Sequence, residues 1–388
     1  MYGPPEHGRS QPPMTRDTHQ FRRRTVLQSL GGAVVASTAY AGLSGASQHC
    51  DATVSDGDSI QSAIDSASTG DTICVEAGTY DEDVTVDVEE LTLDGPNSGT
   101  PGDGDRNDEA TIEGQVILSA DATVLDGFEV TPPAATGTTT SEAVRASNTP
   151  DDVIIANNVV QDFERDDPGG NFYGVDGINI FGGSDGDAIE DPTVRQNLVQ
   201  NIRNEDVGGA AAISIQGNVT GAVVEDNVAT DIAEEVTAYG FGVVIRGTGN
   251  HDKVPEDVEV IGNELRNVLS DPNSQFDGVG FEVEADGTSY LATENVIEDN
   301  NLGIEVKVAA DETTVDFNDI AGNTRLGAFN RDDTTLDATD NWWGHASGPG
   351  GPDGRRNPDG EEVGQGDDIE GDVAFEPWLR RSIENASR

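Results

Sequence analysis

Between Gly177 and Arg331 one short pattern recurs: GINIF at Gly177, AISIQ at Ala212, GVVIR at Gly242, GFEVE at Gly280, GIEVK at Gly303 and GAFNR at Gly327. Apolar and polar residues alternate within each, which is the period of a half-buried strand. A second pattern accompanies it, in VRQNLVQNI, VVEDNVATDI and VEVIGNELRNV, where an Asn stands among regularly placed apolar residues. Units repeated at this spacing cannot bury an apolar face alone and must stack. Asn295, Asn318 and Asn341 are 23 residues apart. That is too short for a pair of packed helices and suits one coil of short strands, while the longer gaps (Asn158 to Asn197, Asn227 to Asn263) require inserted loops. A 3.6-residue period is lacking, so helical solenoids are excluded. The Asn column is expected to occupy left-handed bends, with each amide bonding to the Asn above and below.

These coils, with the opening GDTICVEAGTYDEDVTVD and the closing DNWWGHASGPGG, resemble the right-handed parallel β-helix superfamily of pectin-lyase type over roughly residues 50–352. The resemblance implies an all-β fold, a single-stranded right-handed parallel β-helix. That superfamily includes polysaccharide lyases and hydrolases, NosD-type proteins and exported haloarchaeal proteins. The matching residues form coils and are not catalysts, so the resemblance speaks to fold.

Residues 1–46 are expected to be a twin-arginine-type signal peptide, because Arg23 and Arg24 precede Thr25, Val26 and Leu27 and a run of small and apolar residues. Gly, Ser and Thr in that run disfavour a membrane-spanning helix, so no stable membrane insertion is expected after signal removal. Export places the protein outside the cell or at its surface. There Cys50 and Cys74 are expected to form a structural disulfide that fastens the first coil. Between them, SIQSAIDSAS puts Ile60, Ala63, Ile64 and Ala67 on one face of a short capping helix, with Asp56 or Asp58 as its N-cap. The solenoid is expected over 50–352 and a C-terminal loop and capping tail over 353–388, with Trp342 and Trp343 plugging the apolar end and Phe375 and Trp378 packed back on it. The net charge is −53, from 74 acidic and 21 basic residues. Such repulsion suits a halophile's protein, since molar salt shortens the screening length to about 3 Å. Without a basic footprint, nucleic acid is not an expected partner.

The longest insertions fall at one corner, before the GINIF-type strands, and are expected to wall a groove. They bring Tyr173, Tyr239 and Phe276 as sugar-binding aromatics beside the carboxylates Asp176 and Asp277. If Ile178 and Ile180 and their counterparts point inward, two columns face solvent. The first runs Asn179, Ser214, Val244, Glu282, Glu305, Phe329; the second runs Phe181, Gln216, Arg246, Glu284, Lys307, Arg331. Cations beside carboxylates suit proton abstraction next to a uronate. Lys307 or Arg246 would be the base, with Glu284 and Arg331 in the binding row. An amine is easier to depress than a guanidinium, which favours Lys307. Glu282 and Glu305 offer glycoside hydrolysis instead. Ordinary cross-strand ion pairing explains the same residues without chemistry.

Calcium, through Asp176 and Asp277, is the only metal this composition favours, and no organic cofactor is indicated. Copper maturation of the NosD kind is disfavoured because Met is absent after residue 14 and the histidines are dispersed. The expected function is binding, and lyase-like β-elimination, of an extracellular acidic polysaccharide or cell-envelope glycan. The alternative is a non-catalytic surface, structural or adhesion protein.

Overall fold

A computed structural model describes residues 49–136, 141–165, 174–183, 186–205, 208–233, 239–248, 253–271, 277–351 and 364–383. The expected signal peptide lies outside them. Among them, consecutive short strands are dealt in turn to three sheets of twelve, nine and eleven strands. Thr193–Arg195, Leu198–Asn204 and Gly209–Gln216 make one coil, and Val223–Glu225, Val228–Thr230 and Tyr239–Arg246 make the next. Each strand pairs in parallel with its counterpart one coil away. The fold is an all-β parallel β-helix, and crossovers of this kind fit a right-handed coil.

Period-2 alternation fills the interior. Ile178, Ile180, Ile213, Ile215, Val243, Ile245, Phe281, Val283, Ile304 and Val306 are buried in one cluster that runs from Val54 to Val373. Each such side chain contributes about 1.5–3 kcal/mol on burial. The recurring glycines sit where coils approach most closely: a Cβ on Gly303 would lie 2.5 Å from the carbonyl oxygen of Gly327.

Asparagines carry the polar seam through this interior. Asn158, Asn197, Asn227, Asn263, Asn295, Asn318 and Asn341 are all buried. In each of the first six, the backbone N–H and the side-chain Nδ2 both donate to Oδ1 of the next Asn, as for Asn197 onto Asn227 (3.0 and 3.0 Å), and Asn341 closes the row by donating to carbonyls. The second Nδ2 hydrogen goes to a carbonyl of the preceding coil, Ile155 for Asn197. The backbone assignment differs from the expectation. The left-handed residue is the one before each ladder Asn, namely Asn157, Gln196, Asp226, Gly262, Glu294, Phe317 and Asp340, with φ of 51–67°. That residue turns the corner, which frees the Asn to point inward. A shorter ladder, unseen in the sequence, runs from Asn300 to Asn323 to Asp367.

At the N-terminal end the helix is only Ile60–Ile64, with Ile60 and Ile64 buried as expected. Its cap is Ser59, whose hydroxyl accepts from Ser62 N–H (3.1 Å), rather than Asp56 or Asp58. Asp58 instead accepts from Ser55 N–H, and Glu82 of a later strand connection takes the Ile60 and Gln61 N–H groups. The Cys50–Cys74 disulfide is formed, with Cα atoms 5.6 Å apart, and ties the strand Thr72–Val75 to the residues before Ala52–Val54. Trp343 is fully buried in the core and Phe375 and Trp378 pack against it. The coil stack runs beyond the boundary expected at residue 352: Gly366–Glu370 pairs with Leu326–Asn330, and Val373–Ala374 with Leu336–Asp337. Among the described residues no helix is long and apolar enough to cross a membrane.

Candidate active site

The GINIF-type strands lie side by side in the eleven-stranded sheet, and their connections from the nine-stranded sheet all enter at one corner. Of the inserted residues, those numbered 166–173, 206–207, 234–238 and 272–276, Tyr173 and Phe276 among them, lie outside the described residues. The two outward columns exist in register, but the first does not face solvent. Asn179, Ser214 and Val244 are buried, Glu282 is 1% exposed and Glu305 4%. The reason is a second apolar cluster, separate from the coil interior, made by Ala211, Phe241, Val244, Val279, Leu302 and Leu326 with Tyr239 and Phe329. Five of these stand directly before the recurring Gly or Ala. That apolar outward position was the sequence signal that the face is covered. The second column reaches water, with side chains of Lys307, Glu284 and Arg331 at 26, 39 and 46% exposure, while in the first only the terminal Phe329 is partly exposed.

Glu282 and Glu305 are directly opposite on neighbouring strands. Lys307 Nζ lies 2.9 Å from Glu282 Oε1, 3.3 Å from Glu284 Oε1 and 4.0 Å from Glu305 Oε2. Arg331 Nε donates to Glu305 Oε1, and its guanidinium lies 4.3 Å over the Phe329 ring. The remaining carboxyl oxygen, Glu282 Oε2, is buried without a hydrogen-bond partner. Burial pushes Glu282 well above the usual carboxylate range despite Lys307, and its neighbour's charge adds to the rise. Burial acts on Glu305 in the same direction, but Glu282 beside it, with the charges of Lys307 and Arg331, reverses this and holds Glu305 low. The surroundings thus favour the neutral form of Glu282 and the ionised form of Glu305.

Lys307 does not stand as the free base that its rarity suggested. Burial works against its charge, but Glu282, Glu284 and Glu305 outweigh that and raise its pKa, so it is held as ammonium. Tyr239 is half-buried beside Phe241 and lies in the field of the same group. Burial raises its hydroxyl's pKa, Lys307 opposes the rise, and the three glutamates reinforce it.

Arg246 does not join the row with Glu284. It reaches back two strands to Asp176, donating from Nη2 to Oδ2, which also accepts from Asn179 Nδ2 (2.6 Å). Burial raises Asp176, with Arg246, Asn179 and Arg145 opposing. Asp277 pairs with Arg325, and burial raises it against that guanidinium. The two metal candidates therefore sit on different coils, each with its own arginine. Among the described residues no group of three or more His, Cys, Asp or Glu is placed to hold a metal ion. Sequence reasoning missed Glu142 and Arg145, because their strand, Ser141–Ala146, belongs to the same sheet but lacks the recurring Gly.

No family model matches the sequence, and no curated protein matches it either. Among solved structures the chain is similar to YbhC of Escherichia coli, at 10% identity and a TM-score of 0.35, covering 86% of each chain. It is similar to the pectin methylesterase PemA of Erwinia chrysanthemi at 12% identity and 0.30, covering 87% of this chain and 94% of that one. The A-module of the mannuronan C-5 epimerase AlgE4 of Azotobacter vinelandii is similar at 18% identity and 0.30, with 86% and 98% covered. Likenesses this distant carry no argument about activity.

Proposed function

We propose that the outer face of the eleven-stranded sheet binds an acidic polysaccharide outside the cell and cleaves it by elimination, with Glu282 as general acid. The observation that carries this reading is the pair of buried carboxyls Glu282 and Glu305, directly opposite on neighbouring strands and set beside the cations Lys307 and Arg331. Arg145, Arg246, Lys307, Arg325 and Arg331 all belong to this sheet or its rim, in a chain with only 21 basic residues against 74 acidic.

The chemistry follows from the charges. Lys307 and Arg331 take the carboxylate of a uronate, which acidifies the proton on the adjacent carbon. The same docking draws both cations away from Glu305, so its proton affinity rises and it accepts that proton. Glu282 gives its own proton to the leaving glycosidic oxygen, and a carbon–carbon double bond remains in the sugar. Hydrolysis fits less well, because flanking carboxyls stand on either side of the substrate, about 5–9.5 Å apart, whereas these two are neighbours on one side, opposite each other on adjacent strands and both facing Lys307. Export and adaptation to brine belong to the same reading, supported by Arg23 and Arg24, the disulfide and the net charge of −53.

A scaffold without catalysis is the second reading, favoured by the way Lys307, Arg331 and the glutamates satisfy one another. Incubation with acidic polysaccharides in molar KCl separates the two. Elimination produces an unsaturated uronate with its own ultraviolet absorbance, and Glu282→Gln, which keeps shape but cannot serve as acid, should lose about 100-fold or more in rate. Equal turnover by Glu282→Gln would remove Glu282 from the mechanism. Absence of product from every acidic glycan would favour the scaffold.

A further inference from the structure

The same face carries a second group of charges that the elimination does not use. Asp176 lies three strands from Glu282 and three residues out of its register, and Glu142 is directly opposite Asp176 on the next strand. This repeats the cross-strand carboxyl pairing of Glu282 and Glu305. The cations differ. Arg246 bonds Asp176, while Arg145 Nη1 lies 3.6 Å from Glu142 Oε1, beyond the 2.7–2.9 Å of a charge-assisted bond, with its guanidinium 4.5 Å over the Phe181 ring. Asn179 Oδ1, Ser214 Oγ and the Nε atoms of both arginines are buried here without a hydrogen-bond partner. Asn179 and Ser214 are themselves almost wholly buried. Two guanidinium edges and two small polar groups thus converge with bonding capacity left over.

We propose that Arg145 and Arg246 bind a carboxylate of the acidic glycan at this second place on the face, with Glu142 as the internal anion that competes for Arg145. This rests on the reading of the face as a polysaccharide site. The charged groups facing Glu142 are Arg145 on its own strand, Asp176 on the next and Arg246 two strands further. On its other side the neutral Gln115 amide donates to the Glu142 carbonyl (2.8 Å). Burial raises the Glu142 carboxyl to about 7, with Arg145 opposing, Asp176 reinforcing and Arg246 opposing. Below that pH Glu142 is neutral, and two guanidiniums face the single carboxylate of Asp176, an excess positive charge that suits a sugar carboxylate. Above it Glu142 ionises and the excess disappears.

The test uses the full chain carrying Glu282→Gln, so that nothing is consumed, titrated with an oligogalacturonate in molar KCl. Affinity should be about tenfold higher near pH 6 than near pH 8, because the competent fraction follows protonation of Glu142. Adding Glu142→Gln should give tight binding at both pH values, and adding Arg145→Gln weak binding at both, with far-ultraviolet circular dichroism verifying the fold of each. A methyl-esterified oligomer should show no pH effect. The proposal is overturned by pH-independent binding, or by pH dependence that survives Glu142→Gln. No binding at either pH would overturn the polysaccharide reading as well, so the two failures are distinguishable.

Discussion

Asn227 shows what a single side chain contributes to this solenoid. Its Oδ1 accepts from both the backbone N–H and the Nδ2 of Asn197, and its own Nδ2 serves Asn263 and the Val194 carbonyl. Asn227→Ala would leave two buried donors of Asn197 unsatisfied, at about 1–3 kcal/mol each. Unfolding in denaturant at fixed KCl should therefore show a loss of about 2–6 kcal/mol, and a loss below half a kcal/mol would mean the ladder is not what holds adjacent coils together. The amide stacking was legible from the column of Asn residues. The backbone was not, because Gln196, Glu294 and Phe317 are not residues from which a left-handed bend is read. Likewise the Glu282–Glu305 adjacency followed from counting along GFEVE and GIEVK, whereas the protonation of Glu282 and the fixed charge of Lys307 depend on burial that a column of letters does not display.

Strands of this fold are short, two to eight residues, and those inside each sheet hold because they have a partner on both sides. Register was legible wherever apolar alternation was clean, since a one-residue slip would turn Ile178 and Ile180 outward. It failed to reveal the cover on the outer face, since Phe241, Val279, Leu302 and Leu326 stand just before the alternation begins and read as its flank. At the N-terminal edge the first strand has a neighbour on one side only, and the Cys50–Cys74 bridge supplies the missing restraint. Replacing both cysteines by serine should cost about 3 kcal/mol, from the entropy of the opened loop. Protection from hydrogen exchange should fall first in Ala52–Val54, while an unchanged exchange profile there would show that the helix Ile60–Ile64 suffices.

The whole chain has a charge pattern that only the coil stack makes visible. Acidic residues are spread over the sequence, but stacking brings Arg145, Arg246, Lys307 and Arg331 onto one face of one sheet. In brine, where the screening length is about 3 Å, that face can meet a polyanion without feeling the net charge of −53. The proposed binding therefore depends on local cations placed by register. The most direct test compares binding of an oligogalacturonate by Glu282→Gln with binding by the same protein carrying Lys307→Gln and Arg331→Gln, both in molar KCl. Two charge-assisted contacts of about 1.5–3 kcal/mol each are lost in the second protein, so its affinity should fall by about 100-fold or more. Equal affinity in the two folded proteins would place the polysaccharide elsewhere, or nowhere, on this solenoid.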